Sequence, residues 1–170
     1  MEFLLSLKRI SSTTIVIDLL MLAAIAFLPA LSHMFGFPFY LLEPMRILMI
    51  LSIAHTSKQN SFAVAAALPI FSFVLSAHPA VFKSLLILSE LSLNVWLFFV
   101  LSKKFNNYFG GMAVSIILAK LFYYGAKYLM IHIGLIEGDL VTTPIYLQAL
   151  VGLVLSAYIY FAWKKNSAVI

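Results

Sequence analysis

The sequence predicts an all-α integral membrane protein, a bundle of six transmembrane helices with both termini cytoplasmic, and three observations predict it. First, the chain of 170 residues is 64% hydrophobic and only 10% charged, with a mean hydropathy of +1.07. A water-soluble domain carries roughly 25% charged residues and about half apolar ones, and a globule of this length still needs a polar surface. Lipid must be the solvent for most of these side chains. Second, apolar stretches recur at close to the ~20 residues that a spanning helix requires. Third, Lys and Arg outside those stretches fall only in alternate connections.

Taken in order, residues 1–12 (MEFLLSLKRISS) read as an interfacial lead-in. Lys8 and Arg9 follow its apolar residues, the reverse of the order in a cleaved secretory signal. The first helix runs from about Thr13 to Met34 and contains Asp18 and Pro29, and the turn Gly36-Phe-Pro38 follows. Glu43-Pro44 marks the start of the second, about Leu42 to Thr56, because Pro suits a first helical turn where its missing N–H goes unused. That segment is short, which puts part of Phe39 to Leu41 at membrane depth. Ser57-Lys-Gln-Asn60 reads as a polar turn. The third helix covers about Ser61 to Ala77, with a kink expected at Pro69.

His78-Pro79 marks the next turn, and the fourth helix runs from about Val81 to Leu101. The basic linker Ser102-Lys-Lys-Phe-Asn-Asn107 leads to the fifth, about Phe109 to Ile133, long enough to be tilted. Gly134 to Thr142 is the longest loop and holds Glu137 and Asp139. The sixth helix spans about Thr143 to Trp163 and is closed by Lys164 and Lys165. No internal repeat or linker interrupts the chain, so residues 1–170 form one transmembrane domain.

Loop charge sets the orientation. One set of alternate connections holds Lys8, Arg9, Lys58, Lys103, Lys104, Lys164 and Lys165, and the other holds no Lys or Arg. Positive residues stay cytoplasmic, so both termini lie inside. The net charge of +5 is largely accounted for by this asymmetry, and nucleic acid is not an expected partner.

Seven charges remain within the apolar segments: Asp18, Glu43, Arg46, Lys83, Glu90, Lys120 and Lys127. Each costs at least ~2.5–3.5 kcal/mol at membrane depth, so each marks a functional position by default. The topology puts Glu43, Arg46 and Lys83 in the outer leaflet, Glu90 and Lys120 near the midplane, and Lys127 two turns outward of Lys120. Asp18 alone lies near the cytoplasmic start of its helix. Lys83, Glu90 and Asn94 share one helical stripe, and Lys120, Tyr123, Tyr124 and Lys127 share another. Converging inside the bundle, these residues would form a pocket open to the outside with a small positive excess, suited to an anionic solute. Lys120 and Lys127 are expected to hold its anionic group, with Arg46 or Lys83 assisting and Glu90 orienting a lysine.

Structural readings stand beside these. Glu43 and Arg46 can pair within one helix turn, Lys83 can snorkel outward, and Glu90 with Lys120 can serve as a bridge between helices. Tyr40 and Gln148 are further candidates for ligand contact. His33, His55, His78 and His132 lie near helix ends without a second ligand nearby, so no metal site is expected.

Catalytic signals are missing. There is no cysteine, no HExxH, no GxSxG and no Walker loop, so the chain is not expected to be an enzyme or to bind a cofactor. If transport is active, another polypeptide or an ion gradient must drive it.

The size, the six helices and the polar site in the outer half resemble the substrate-binding S components of energy-coupling factor (ECF) transporters. The segment His78-Pro-Ala-Val-Phe-Lys-Ser-Leu-Leu-Ile-Leu-Ser-Glu-Leu-Ser-Leu-Asn94 carries a Pro, Lys and Glu-Leu pattern similar to theirs. Ala26-xxx-Ala30 is similar to the motif by which such subunits dock on a transmembrane coupling subunit, although it sits later in the helix and encloses Pro29. Ala63-xxx-Ala67 is a second small-residue spacing that permits close helix contact. The resemblance implies a bacterial inner-membrane subunit that captures a vitamin-like solute from outside. A coupling subunit and two ATPases would then topple it to release the solute inside. The rival reading is a small structural membrane subunit like that of the rod-shape machinery, in which the two charged stripes would face different ways.

Overall fold

Apolar runs punctuated by Pro, Gly, Ser and Asn fold into helices. The computed structural model describes residues 12–76 and 80–167. Among these residues there are six α-helices and no strand: α1 (Ser12–Phe35), α2 (Pro44–His55), α3 (Lys58–Ser76), α4 (Val81–Phe105), α5 (Tyr108–His132) and α6 (Ile145–Ser167), with a 3-10 turn at Phe39–Leu42. Five of them, all but α2, are long and apolar enough to cross a membrane. The chain is a multi-pass membrane protein by that measure. The lead-in with Lys8 and Arg9 and the His78-Pro79 turn lie outside the described residues.

Caps explain where the helix ends depart from expectation. Ser57 begins α3: its hydroxyl accepts from Asn60 N at 3.2 Å and its carbonyl from Ser61 N at 2.9 Å. The polar residues Lys58, Gln59 and Asn60 therefore form a first helical turn and not a loop, because an N-cap Ser satisfies N–H groups that would otherwise be orphaned. The Asn107 side chain accepts from Phe109 N and Gly110 N, which starts α5. Asn106 stops α4 in a left-handed conformation (φ 48°), so the helix ends at Phe105, four residues beyond Leu101. Helices α1 and α3 each continue through their proline, Pro29 and Pro69.

The two-residue links Thr56-Ser57 and Asn106-Asn107 leave room only for antiparallel neighbours. At the basic end, His55 Nε2 meets the Tyr158 hydroxyl at 2.6 Å, the Trp163 ring packs on Phe98 and Tyr108, and Lys58 sits 5.4 Å over the Phe99 ring. Core residues come from every helix, among them Met21, Met49, Leu68, Val95, Met112 and Leu155. Large apolar side chains such as Leu20, Phe27, Leu121 and Phe161 stay uncovered on the bundle's outer surface, as contact with lipid demands.

Helix α4 lies closest to α5. A Cβ built on Gly111 would stand 2.8 Å from the Ser102 Cα and 2.9 Å from its nitrogen. Gly111, Ser115 and Ala119 follow at intervals of four and all are buried, a small-residue face that lets two backbones approach. That face is not one of the small-residue spacings read from the sequence, Ala26-xxx-Ala30 and Ala63-xxx-Ala67. The structure leaves Ala26, Ala30 and Ala63 exposed and Ala67 half-buried.

Gly111→Ala is expected to push α4 and α5 apart and destabilise the protein by ~1–3 kcal/mol, whereas Gly125→Ala, which meets nothing within 4 Å, should not. Thermal unfolding of the two variants in detergent checks this, and equal melting temperatures would contradict it.

Candidate solute-binding site

The site begins with a break in the chain. Between the 3-10 turn and α2, Glu43 adopts a left-handed conformation (φ 53°, ψ 55°), which costs a non-glycine residue about 1–2 kcal/mol. Pro44 after it bars a continuous helix. The Glu43 N–H donates to Tyr40 O at 3.2 Å, and its carbonyl accepts from Arg46 N and Ile47 N at 2.9 and 3.1 Å. Turn and helix are thus hinged on this one residue, and its carboxylate is thrown inward.

Four charges meet there. Glu43 Oε2 lies 3.1 Å from an Arg46 guanidinium nitrogen, and Lys120 donates to Glu43 Oε1. Arg46 also donates to Glu90, and Lys120 Nζ stands 3.9 Å from the same Glu90 oxygen. The result is a closed ring across α2, α4 and α5 in which each charge faces two opposite ones. Arg46 and Glu90 are 3% and 5% exposed, so mutual pairing, not water, compensates them. Arg46 Nε alone in that ring is buried without a partner.

The ring forms one wall of a cavity of about 1080 Å³, just above the range of about 300–1,000 Å³ usual for small-molecule sites. Ile25, Leu28 and Pro29 of α1 line one side, Lys83, Ile87 and Leu91 of α4 another, and Tyr123 and Tyr124 of α5 a third. Phe37, Tyr40, Thr142 and Thr143 rim it at the end opposite the basic loops. Lys120 Nζ lies 6.0 and 5.9 Å from the ring centres of Tyr123 and Tyr124, within cation–π range. Lys83 lines the cavity without an ion pair among the described residues.

The structure brings Glu43, Arg46, Lys83, Glu90, Lys120, Tyr123 and Tyr124 to this one cavity and places two other candidates elsewhere. Asn94 is fully buried between α4 and α5, where its amide donates to Ser115 Oγ at 2.8 Å. Lys127, 2% exposed, is outside the lining: its ammonium donates to the carbonyls of Asp139 and Leu140 at 2.6 and 2.9 Å. The loop backbone after α5 supplies both of these acceptors. Gln148 ties the same loop down, donating to Thr143 O at 2.6 Å while its amide meets the Tyr124 hydroxyl. Asp18 faces away from the cavity and accepts from Asn60 Nδ2 at 2.9 Å.

Ser32 and Ile87, and Thr142-Thr143 just before Pro144, line the cavity without having been candidates, and His33, read in the sequence only as a histidine near a helix end, lines it too. Ser32 and Ile87 carry no distinguishing pattern within an apolar helix. The threonine pair ahead of a proline was the one visible signal. Among the described residues no group of three or more His, Asp or Glu side chains is placed to hold a metal ion. Comparison with protein-family models, with curated proteins and with solved structures finds no match to the chain.

Arg46→Met leaves the buried Glu90 carboxylate with Lys120 alone, and is expected to destabilise the protein by ~3–5 kcal/mol. Adding Glu90→Leu restores neutrality around the remaining Glu43–Lys120 pair and should recover most of that loss. Unfolding curves in detergent for the single and double variants test this coupling. A double variant no more stable than the single would refute it.

Proposed function

We propose that the protein is the membrane-embedded solute-binding subunit of a bacterial micronutrient uptake transporter of the energy-coupling factor type. One observation carries the reading: a drug-sized cavity whose inner wall is a ring of buried charges, opening at the end away from the basic loops. Under the positive-inside rule the end with Lys58, Lys103 and Lys104 is cytoplasmic, so the cavity faces outward in the inner membrane. With both termini inside, the chain crosses six times. Helix α2, about 18 Å long at 1.5 Å per residue, completes its crossing through the 3-10 turn at membrane depth. Irregular backbone of this kind persists in a membrane where it is buried in protein or lines a cavity.

A solute-binding subunit needs an external motor, and the chain has no Walker loop. A coupling subunit and ATPases are accordingly the proposed partners. A structural subunit would have no need of the cavity, and the approach of Glu90 to Lys120 at 3.9 Å argues for a shared pocket over two independent charged faces.

Two experiments test the proposal. Purification in mild detergent followed by mass spectrometry should recover a bound small molecule, and Ile87→Trp, which narrows the cavity between Lys83 and the charge ring, should sharply reduce its retention without a large loss of thermal stability. Equal retention by that variant would place the solute elsewhere. The chain has no cysteine, so Glu137→Cys and Gln59→Cys report orientation directly. A membrane-impermeant maleimide should label the first in intact cells and the second only after permeabilisation, and the reverse pattern would overturn the topology.

A further inference from the structure

The charge ring has a consequence for the solute. Glu43, Arg46, Glu90 and Lys120 neutralise one another, so neither Arg46 nor Lys120 is free to hold an anion unless a buried ion pair opens. Lys127 does not line the cavity, and two of its ammonium's three N–H groups donate to loop carbonyls. That leaves Lys83, in the first turn of α4 and on the cavity wall, as one positive charge without an ion pair among the described residues.

We infer that Lys83 is the anion-binding residue of the cavity, and that the solute is a monoanion on an apolar, ring-bearing body, held with its charged group toward the mouth. The inference rests on the proposed uptake reading and names the substrate class for that site. Lys83 and Glu90 are seven residues apart on α4, which sets the mouth and the charge ring about 10 Å apart along the helix. The wall between them is apolar and aromatic: Leu28, Pro29, Ile87 and Tyr123. At the inner end lie the carboxylates of Glu43 and Glu90, already paired with Arg46 and Lys120, and a second negative charge on the solute would meet them there. The ligand is thus a single carboxylate or equivalent anion on an apolar, ring-bearing body whose far end carries no charge.

Three probes of one shape separate the possibilities: 6-hydroxy-2-naphthoate (a monoanion), its methyl ester (neutral) and naphthalene-2,6-dicarboxylate (a dianion). Each is titrated against the full chain in detergent, read by calorimetry. The monoanion should bind at least about tenfold more tightly than either analogue, the scale of one charge-assisted hydrogen bond. Lys83→Met should remove that preference while leaving the ester's affinity unchanged, and Lys83→Arg should restore it. A monoanion that binds no better than the ester or the dicarboxylate, an unaffected Lys83→Met variant, or no saturable binding of any probe would overturn the inference. Mass spectrometry separates this failure from that of the uptake reading. A co-purified solute that is neutral or doubly charged refutes the role of Lys83 alone, whereas recovery of no solute counts against both.

Discussion

Hydrocarbon cannot solvate an ion, and the ring of Glu43, Arg46, Glu90 and Lys120 is how this chain carries four of them among its apolar helices. Every member depends on the others. Arg46 alone would be a buried cation, and Glu90 alone a buried anion on a helix rich in Leu. Joined, they fix the start of α2 against the middles of α4 and α5. Glu43 reaches between Arg46 and Lys120 from a left-handed backbone, so the same residue carries both the strain and two of the ion pairs.

The rest of the bundle positions that ring. The small-residue face of α5 draws α4 close at Gly111 and Ser102, toward the basic end, where aromatic packing around Trp163 fills the space. Toward the other end the cavity lies between the helices, and the loop after α5, pinned by Lys127 and Gln148, contributes Thr142 and Thr143 to its rim. A tight end and a hollow end follow from where the small and the charged residues fall along α4 and α5.

Much of this was legible in the residues. Six helical segments follow from apolar run length, and Glu43-Pro44 marks the start of α2 because proline has few other places to stand. The polar starts of helices were harder to read. Lys58, Gln59 and Asn60 have the composition of a turn, and only the Ser57 hydroxyl cap makes them helix. In the site, helical phase groups Lys83 with Glu90, and Lys120 with the two tyrosines. It says nothing of which charges pair across 77 residues of chain, as Glu43 and Lys120 do. Lys127 shows the limit most clearly. On its stripe it looks like a partner for Lys120, yet backbone carbonyls satisfy it, and a carbonyl leaves no mark on a sequence.

Helix α1 occupies an unusual place. It packs on α2, α3 and the 3-10 turn but makes no comparable contact with α4, α5 or α6, although it forms one side of the cavity. None of the four ring residues belongs to it. The ion pairs therefore do nothing to hold α1, which stays in place by packing and the Asp18–Asn60 hydrogen bond, so on that flank a single helix is all that parts the cavity from the bilayer.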